Sequence, residues 1–229
     1  MIKPLPTDGC EATGSPDGAT GASAHAIEVE RELSHRVKNM FAVINAIVSI
    51  TGRVKGIPAE AAEINARIQA LGRAYETTFE GSHLGSFDLG NAIAAVLRPY
   101  ADAPERLRLS GDEIRVPSAT ISLVGMVLHE LAVNAKQHGA WSSEAGSVAV
   151  SWTLGCNDLE CDTGDEDTCE LSLSWRETGG AVQCEQTVEA GGGTQIVDRL
   201  LSTSRGAIFR EWSESGLIAD ICIPAAKVG

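Results

Sequence analysis

The sequence predicts an α+β fold: an N-terminal αα-hairpin, then helices packed on one face of a mostly antiparallel sheet. Three observations predict it. Apolar residues recur with a helical period over two stretches on either side of Gly56 and Pro58. Residues 118–138 form a third, strongly apolar helical run closed by Gly139. Two later segments alternate with period 2: Val148, Val150, Trp152 and Leu154, then Leu171, Leu173 and Trp175.

Taken in order, residues 1–25 are rich in Gly, Ala, Ser, Thr, Asp and Pro without periodicity, which predicts a disordered leader. A helix is expected from Ile27. With Leu33 as origin and about 100° per residue, Val37, Met40, Ile44, Ile47 and Val48 fall within about 60° of it. Phe41 and Val43 widen that stripe to about 160°. Gly52, Gly56 and Pro58 are expected to break the helix, Pro58 opening the next one. The second helix carries Ile64, Ile68, Leu71 and Tyr75 as a single stripe. The hairpin is placed at 26–80 and a Gly-bearing linker at 81–87. A second unit follows at 88–225, with Asp88 as N-cap of a helix over 89–99. RLRLSG at 106–111 is a candidate short strand. The acid-rich GCNDLECDTGDEDTC, at 155–169, reads as a solvated hairpin loop. A glycine turn at 191–193 leads into a helix over 194–202, and strands near 207–212 and 217–223 close the chain.

Composition excludes several classes. The 229 residues carry a formal net charge of -13, which argues against nucleic acid as the main partner. No run approaches the roughly 18 uninterrupted apolar residues of a membrane span. MIKPLPTDGC lacks the apolar core of a secretory signal. A cytoplasmic protein without a membrane partner is therefore expected. The six cysteines form no C-x-x-C pair and read as reduced thiols. Cys156, Cys161 and Cys169 lack a histidine with finger-like spacing.

Three motifs carry chemistry. His35 lies about 200° from Leu33, away from the apolar stripe and within about 60° of Arg31, Lys38 and Asn39. An imidazole among cations and an amide suits nucleophilic attack on an anionic group. Glu130 and Asn134, in HELAVNAKQHGAWS, stand one turn apart on an otherwise apolar helix, and their oxygens suit a hard cation such as Mg²⁺. SWRETGG at 174–180 and GGGTQIV at 191–197 place glycines where a backbone can approach a phosphate.

In this order, ELSHRVKN, HELAVNA, W-x-E-x-G-G and GGGT resemble the HWE family of sensor histidine kinases over roughly residues 27–225, with His129, Trp175 and Glu177 matching the residues that name it. The resemblance implies a dimerisation and phosphotransfer hairpin, a four-helix bundle in the dimer, and a GHKL-type α/β sandwich that binds ATP and Mg²⁺. It implies His35 as phosphoacceptor, with Arg36, Asn39 and Glu130 in the catalytic surround. It implies Asn134 and Glu130 as metal ligands. The nucleotide would be lined by Asn134, Gln137, His138, Trp175, Gly179, Gly180, Gly191, Gly193 and Thr194, and Glu177 would read the adenine amino group. A response-regulator receiver domain would accept the phosphoryl group.

Four features depart from common patterns. Arg36 follows the phosphoacceptor where many histidine kinases carry an acid, leaving Glu32 as the candidate proton acceptor. Gln137 stands where the N box often has Lys, with Lys136 displaced one step. GGG replaces the common GFG. No sensor domain precedes the hairpin, so a separate sensory protein is an expected partner. Two further readings are a histidine phosphotransferase with a degenerate ATP-binding domain, favoured by the missing sensor, and a Ser/Thr anti-sigma kinase, for which the hairpin would be superfluous.

Overall fold

The computed structural model describes residues 17–76, 86–155, 169–179 and 192–225. A long helix α1 (Asp17–Lys55) is followed by α2 (Pro58–Glu76), β1 (Ser86–Asp88) and α3 (Leu89–Leu97). Next come β2 (Leu107–Gly111), β3 (Arg115–Pro117), α4 (Ser118–Gln137), β4 (Ser147–Gly155) and β5 (Cys169–Thr178). Helix α5 (Gly192–Thr203) and strands β6 (Ala207–Ser213) and β7 (Gly216–Ala225) complete the described chain. The α+β class holds.

The hairpin is antiparallel. Lys38 meets Glu76 at 3.7 Å, the Phe41 and Tyr75 rings lie 6.3 Å apart, and Asn65 donates to the Ser49 hydroxyl at 2.7 Å. Helix α1 starts ten residues before the expected Ile27. After Pro16, the segment Asp17–Ala26 carries four alanines, the best helix formers, and no proline. Gly52 is not a breaker either. It lies inside α1, and a Cβ there would fall on the Ala61 methyl of α2, so the glycine lets the two backbones approach. The break falls at Gly56, whose φ of 75° closes the helix in the left-handed region.

On α2 the fully buried residues are Ala61, Ala70 and Ala74; of the expected stripe, Ile68, Leu71 and Tyr75 are half-buried and Ile64 is exposed. The wide α1 stripe is split in the same way. Val37, Phe41 and Val48 are half-buried, whereas Met40, Val43, Ile44 and Ile47 remain exposed.

The second unit is built around a five-stranded sheet of order β2-β4-β5-β7-β6, antiparallel except for the β2–β4 pair. Its inner face is set by the expected alternation. Val150 pairs with Trp175 and Trp152 with Leu173, while Ala219 opposite Trp175 leaves room for the indole. The expected linker is shorter than 81–87, because Ser86 and Phe87 pair antiparallel with Pro117 and Val116. Three-residue strands give too little periodicity to be read from sequence. Asp88 caps α3 as expected, its carboxylate accepting from the Asn91 N–H at 2.8 Å, but α3 ends at Leu97.

Helix α4 is the centre of the unit. Its 20 residues have the length and apolarity of a membrane span, yet 61% of its most apolar window is buried inside the fold, between α2, α3, α5 and the core. The leader residues 1–16, the acidic loop 156–168 and the 180–191 segment lie outside the described residues.

Replacing Gly52 by Ala should lower stability by about 1–3 kcal/mol, although Ala is the better helix former, because the added methyl overpacks the α1–α2 contact. Thermal unfolding followed by circular dichroism checks this, and a raised midpoint contradicts it.

Candidate functional site

Helices α2 and α4 and the N-terminus of α5 enclose a cleft of about 660 Å³. That volume lies in the range of small-molecule sites. Helix α4 supplies His129, Glu130, Val133, Asn134 and Gln137, and its C-cap His138; α5 supplies Gly192, Gly193 and Thr194; and α2 supplies Ala62, Glu63, Ala66 and Arg67. The structure thus brings together the N-box residues and the second glycine motif, which are separated by more than fifty positions in sequence.

Glu130 is the polar centre of this cleft. Only 3% exposed, it receives a two-pronged hydrogen bond from Arg67: Nε donates to Oε1 at 2.6 Å and Nη2 to Oε2 at 3.2 Å. A buried carboxylate is tolerated when paired and hydrogen-bonded in this way. The hydrogen bond to Glu130 is the main cause that raises the Arg67 pKa above its ordinary value, so the guanidinium stays charged. A Cβ on Gly193 would strike Glu130 Oε2, so the start of α5 lies directly against the carboxylate. This close approach is the glycine's role.

Beside it, His129 is buried, with Nδ1 hydrogen-bonded to the Tyr100 hydroxyl at 2.5 Å and Nε2 3.9 Å from Glu130 Oε1. Burial lowers its pKa below the ordinary histidine value and keeps the ring neutral. The Tyr100 ring stacks on Trp141, which meets Trp175 edge-on at 5.7 Å.

Glu130 and Asn134 line the same wall, offering one carboxylate and one amide oxygen. No cluster of three metal-binding side chains occurs among the described residues. A divalent cation held here would complete its shell from waters and ligand oxygens, the usual habit of Mg²⁺. The donor set fits that ion and a phosphate-bearing ligand.

Other expected site residues sit elsewhere. Trp175 and Glu177 are buried but do not line the cleft. Glu177 Oε2 accepts the Ala140 N–H at 2.8 Å, and Oε1 accepts the Trp175 indole N–H at 3.1 Å. The two arginines beside it in sequence or on the sheet do not hold it: Arg176 is exposed, and Arg210 pairs with Asp198 at 2.8 Å. Glu177 therefore clamps the turn after α4, the one that carries Gln137 and His138 to the cleft. A Cβ on Gly139 would overlap its carboxylate, so Gly139 is required for packing; its φ of -99° is open to any residue. Gly179, at φ 75°, faces the Ala145–Gly146 backbone instead of the cleft. Gly180 and Gly191 lie outside the described residues.

His35, Arg36 and Asn39 are exposed on α1, which contributes no residue to the cleft. Arg36 donates to Glu32 at 2.9 Å, so the candidate proton acceptor is engaged by its own neighbour. The Lys38–Glu76 contact places His35 about one turn beyond the end of α2. At 1.5 Å per residue, that is roughly 18 Å along the hairpin from Arg67.

Residues 32–113 match the family model described as HWE histidine kinase. The chain is also 32% identical over 201 residues to blue-light-activated histidine kinase 1 of Erythrobacter litoralis, covering 86% of this chain and 52% of that protein. It is 31% identical over 210 residues to a blue-light-activated histidine kinase of Rhizobium johnstonii, covering 91% and 56%. The chain thus spans about half the length of these curated relatives. Among solved structures, the histidine kinase domain from an Erythrobacter litoralis blue-light activated histidine kinase superposes with a TM-score of 0.54 at 22% identity. That match covers 89% of this chain and 94% of the other, and shows a shared fold.

Sequence reasoning missed Arg67. It stands one turn after Glu63 on α2, 3.7 Å from that carboxylate, and nothing in the spacing links it to α4.

Glu177→Ala should destabilise the fold by about 2–4 kcal/mol, since two buried donors lose their acceptor. Burial raises the Glu177 pKa above 4.5, so its contribution is fully present below that value and declines as pH rises through the folded pKa. The gap between wild type and variant in urea unfolding should therefore be widest at acid pH. A gap that widens toward neutral pH contradicts this.

Proposed function

We propose that the chain is an ATP-dependent protein-histidine kinase that phosphorylates His35 and passes the phosphoryl group to an aspartate of a receiver domain. The observation that carries this reading is the cleft itself. A carboxylate, an amide and the glycine start of a helix converge there, beside a hairpin that carries an exposed imidazole on a separate face. The match of residues 32–113 to the HWE histidine kinase family model supports it.

In the proposed step a ring nitrogen of His35 attacks the γ-phosphorus, the bond to the β–γ bridging oxygen breaks, and ADP leaves with that electron pair. The attacking nitrogen uses its lone pair, and the proton on the other ring nitrogen passes to solvent water, to which His35 is exposed. Bound Mg²⁺ would neutralise charge on the phosphate oxygens, held by Asn134 and Glu130. The free N–H groups opening α5 at Gly192, Gly193 and Thr194 suit phosphate oxygens. Glu177 acts as a positioning residue through the turn it clamps. The separation of roughly 18 Å between His35 and Arg67 requires either a swing of the sheet unit along the hairpin or the cleft of a second chain.

A second chain has a natural seat. Met40, Val43, Ile47, Ile50 and Val54 are all exposed and follow one another at alternating steps of three and four, the seam of a helical bundle. We propose that this face forms a homodimer with a four-helix core. Sedimentation equilibrium should give twice the 24.0 kDa chain mass, and a monomer at high concentration contradicts it.

Incubation with γ-labelled ATP and Mg²⁺ tests the kinase reading. The expected result is acid-labile, base-stable label on the wild type, none on His35→Ala, and near-equal ATP affinity for both. Label persisting on the variant removes His35 as acceptor. Absence of both label and nucleotide binding in the wild type turns the assignment to the phosphotransferase reading.

A further inference from the structure

The cleft contains one arginine or lysine among its described lining residues, Arg67, and that residue comes from the hairpin rather than from the unit that forms the other walls. The N box has no lysine to offer in its place. Gln137 occupies the position where a lysine is common, and Lys136 is turned outward, its Nζ donating to both Asp102 oxygens at 2.7 and 2.6 Å. Arg67 is four-fifths buried, stands at the cleft wall, and is aimed at Glu130 across from the start of α5.

From these positions we infer that Arg67 is the cationic phosphate-binding residue of the cleft, held by Glu130 until the polyphosphate of a nucleoside di- or triphosphate replaces that carboxylate. The inference rests on the nucleotide-binding reading of the cleft. A guanidinium presents paired N–H groups that match a phosphate as well as a carboxylate, so the exchange keeps its hydrogen bonds. Glu130, released, retains an acceptor set suited to a cation accompanying the phosphates. Charge stays balanced on both sides of the exchange. A consequence is that phosphate affinity depends on the hairpin being docked against α4, which couples nucleotide binding to the position of the helix pair that carries His35.

Calorimetric titration of the full chain with ATP, ADP and adenosine tests this. For Arg67→Gln, ATP affinity should fall about 10- to 100-fold, ADP affinity by less, and adenosine affinity not at all; Arg67→Lys should recover part of the loss. An unchanged or tighter ATP affinity in Arg67→Gln overturns the assignment, as does an equal loss for adenosine. Because Arg67→Gln leaves Glu130 buried without its partner, the Arg67→Gln/Glu130→Gln double variant is titrated as well. ADP without magnesium serves as probe, so that metal ligation by Glu130 does not enter. ADP binding should stay weak in the double variant. Recovery to the wild-type affinity shows that Arg67 only neutralises Glu130, and overturns the proposal. A wild type that binds none of the three ligands defeats the nucleotide reading itself, an outcome distinct from any difference between variants.

Discussion

The fold depends on covering most of helix α4. Twelve of its residues are buried, among them Ile121, Val124, Val127, Leu128 and Leu131, and each fully buried aliphatic side chain is worth about 1.5–3 kcal/mol. The sheet with α3 covers part of this surface, and α5 and the hairpin cover more. Gly125 marks how closely the hairpin approaches: a Cβ there would lie 3.3 Å from the Ala74 methyl. Helix α2 is therefore part of the second unit's packing, and its alanine face is what allows the contact.

A helix buried over most of its surface also buries some of the polar residues it carries. Helix α4 carries His129 and Glu130 side by side, and the structure resolves them differently. The histidine is kept neutral by desolvation and tied to Tyr100. The carboxylate stays paired with an arginine from outside the unit. Removing one partner of such a pair costs about 3–5 kcal/mol, because the other charge stays buried alone. Hairpin and cleft are thus joined at the residue where chemistry is proposed. A change in hairpin geometry therefore has a direct route to the site.

The C-terminal end of α4 is fixed by a second buried carboxylate. Glu177 sits at the end of β5 and holds the turn after the helix through the Ala140 N–H, while the Trp175 indole takes its other oxygen. Arg106 fastens the far side of the same turn by donating to the Ala140, Ser143 and Gly146 carbonyls. The cleft wall is rigid at the turn that carries His138 and is set at Glu130 by the hairpin.

Elements with a long periodicity are readable from the chain alone. The period-2 run of Val148, Val150 and Trp152, the apolar length of α4, the Asp88 cap and the Gly56–Pro58 turn are local facts, and local propensity suffices to read them. The ELSHRVKN and HELAVNA motifs are legible for the same reason, since each sits on one helix. What those elements face follows from packing and not from local pattern. Packing turned Gly52 from a helix breaker into a contact point. It split the α1 stripe between α2 and solvent, and it paired three-residue strands too short to show a pattern. It moved Glu177 from the cleft lining to the turn beneath it. Above all it brought Arg67 to Glu130 across 63 positions, a pairing set by how α2 packs on α4 and recorded in neither helix alone.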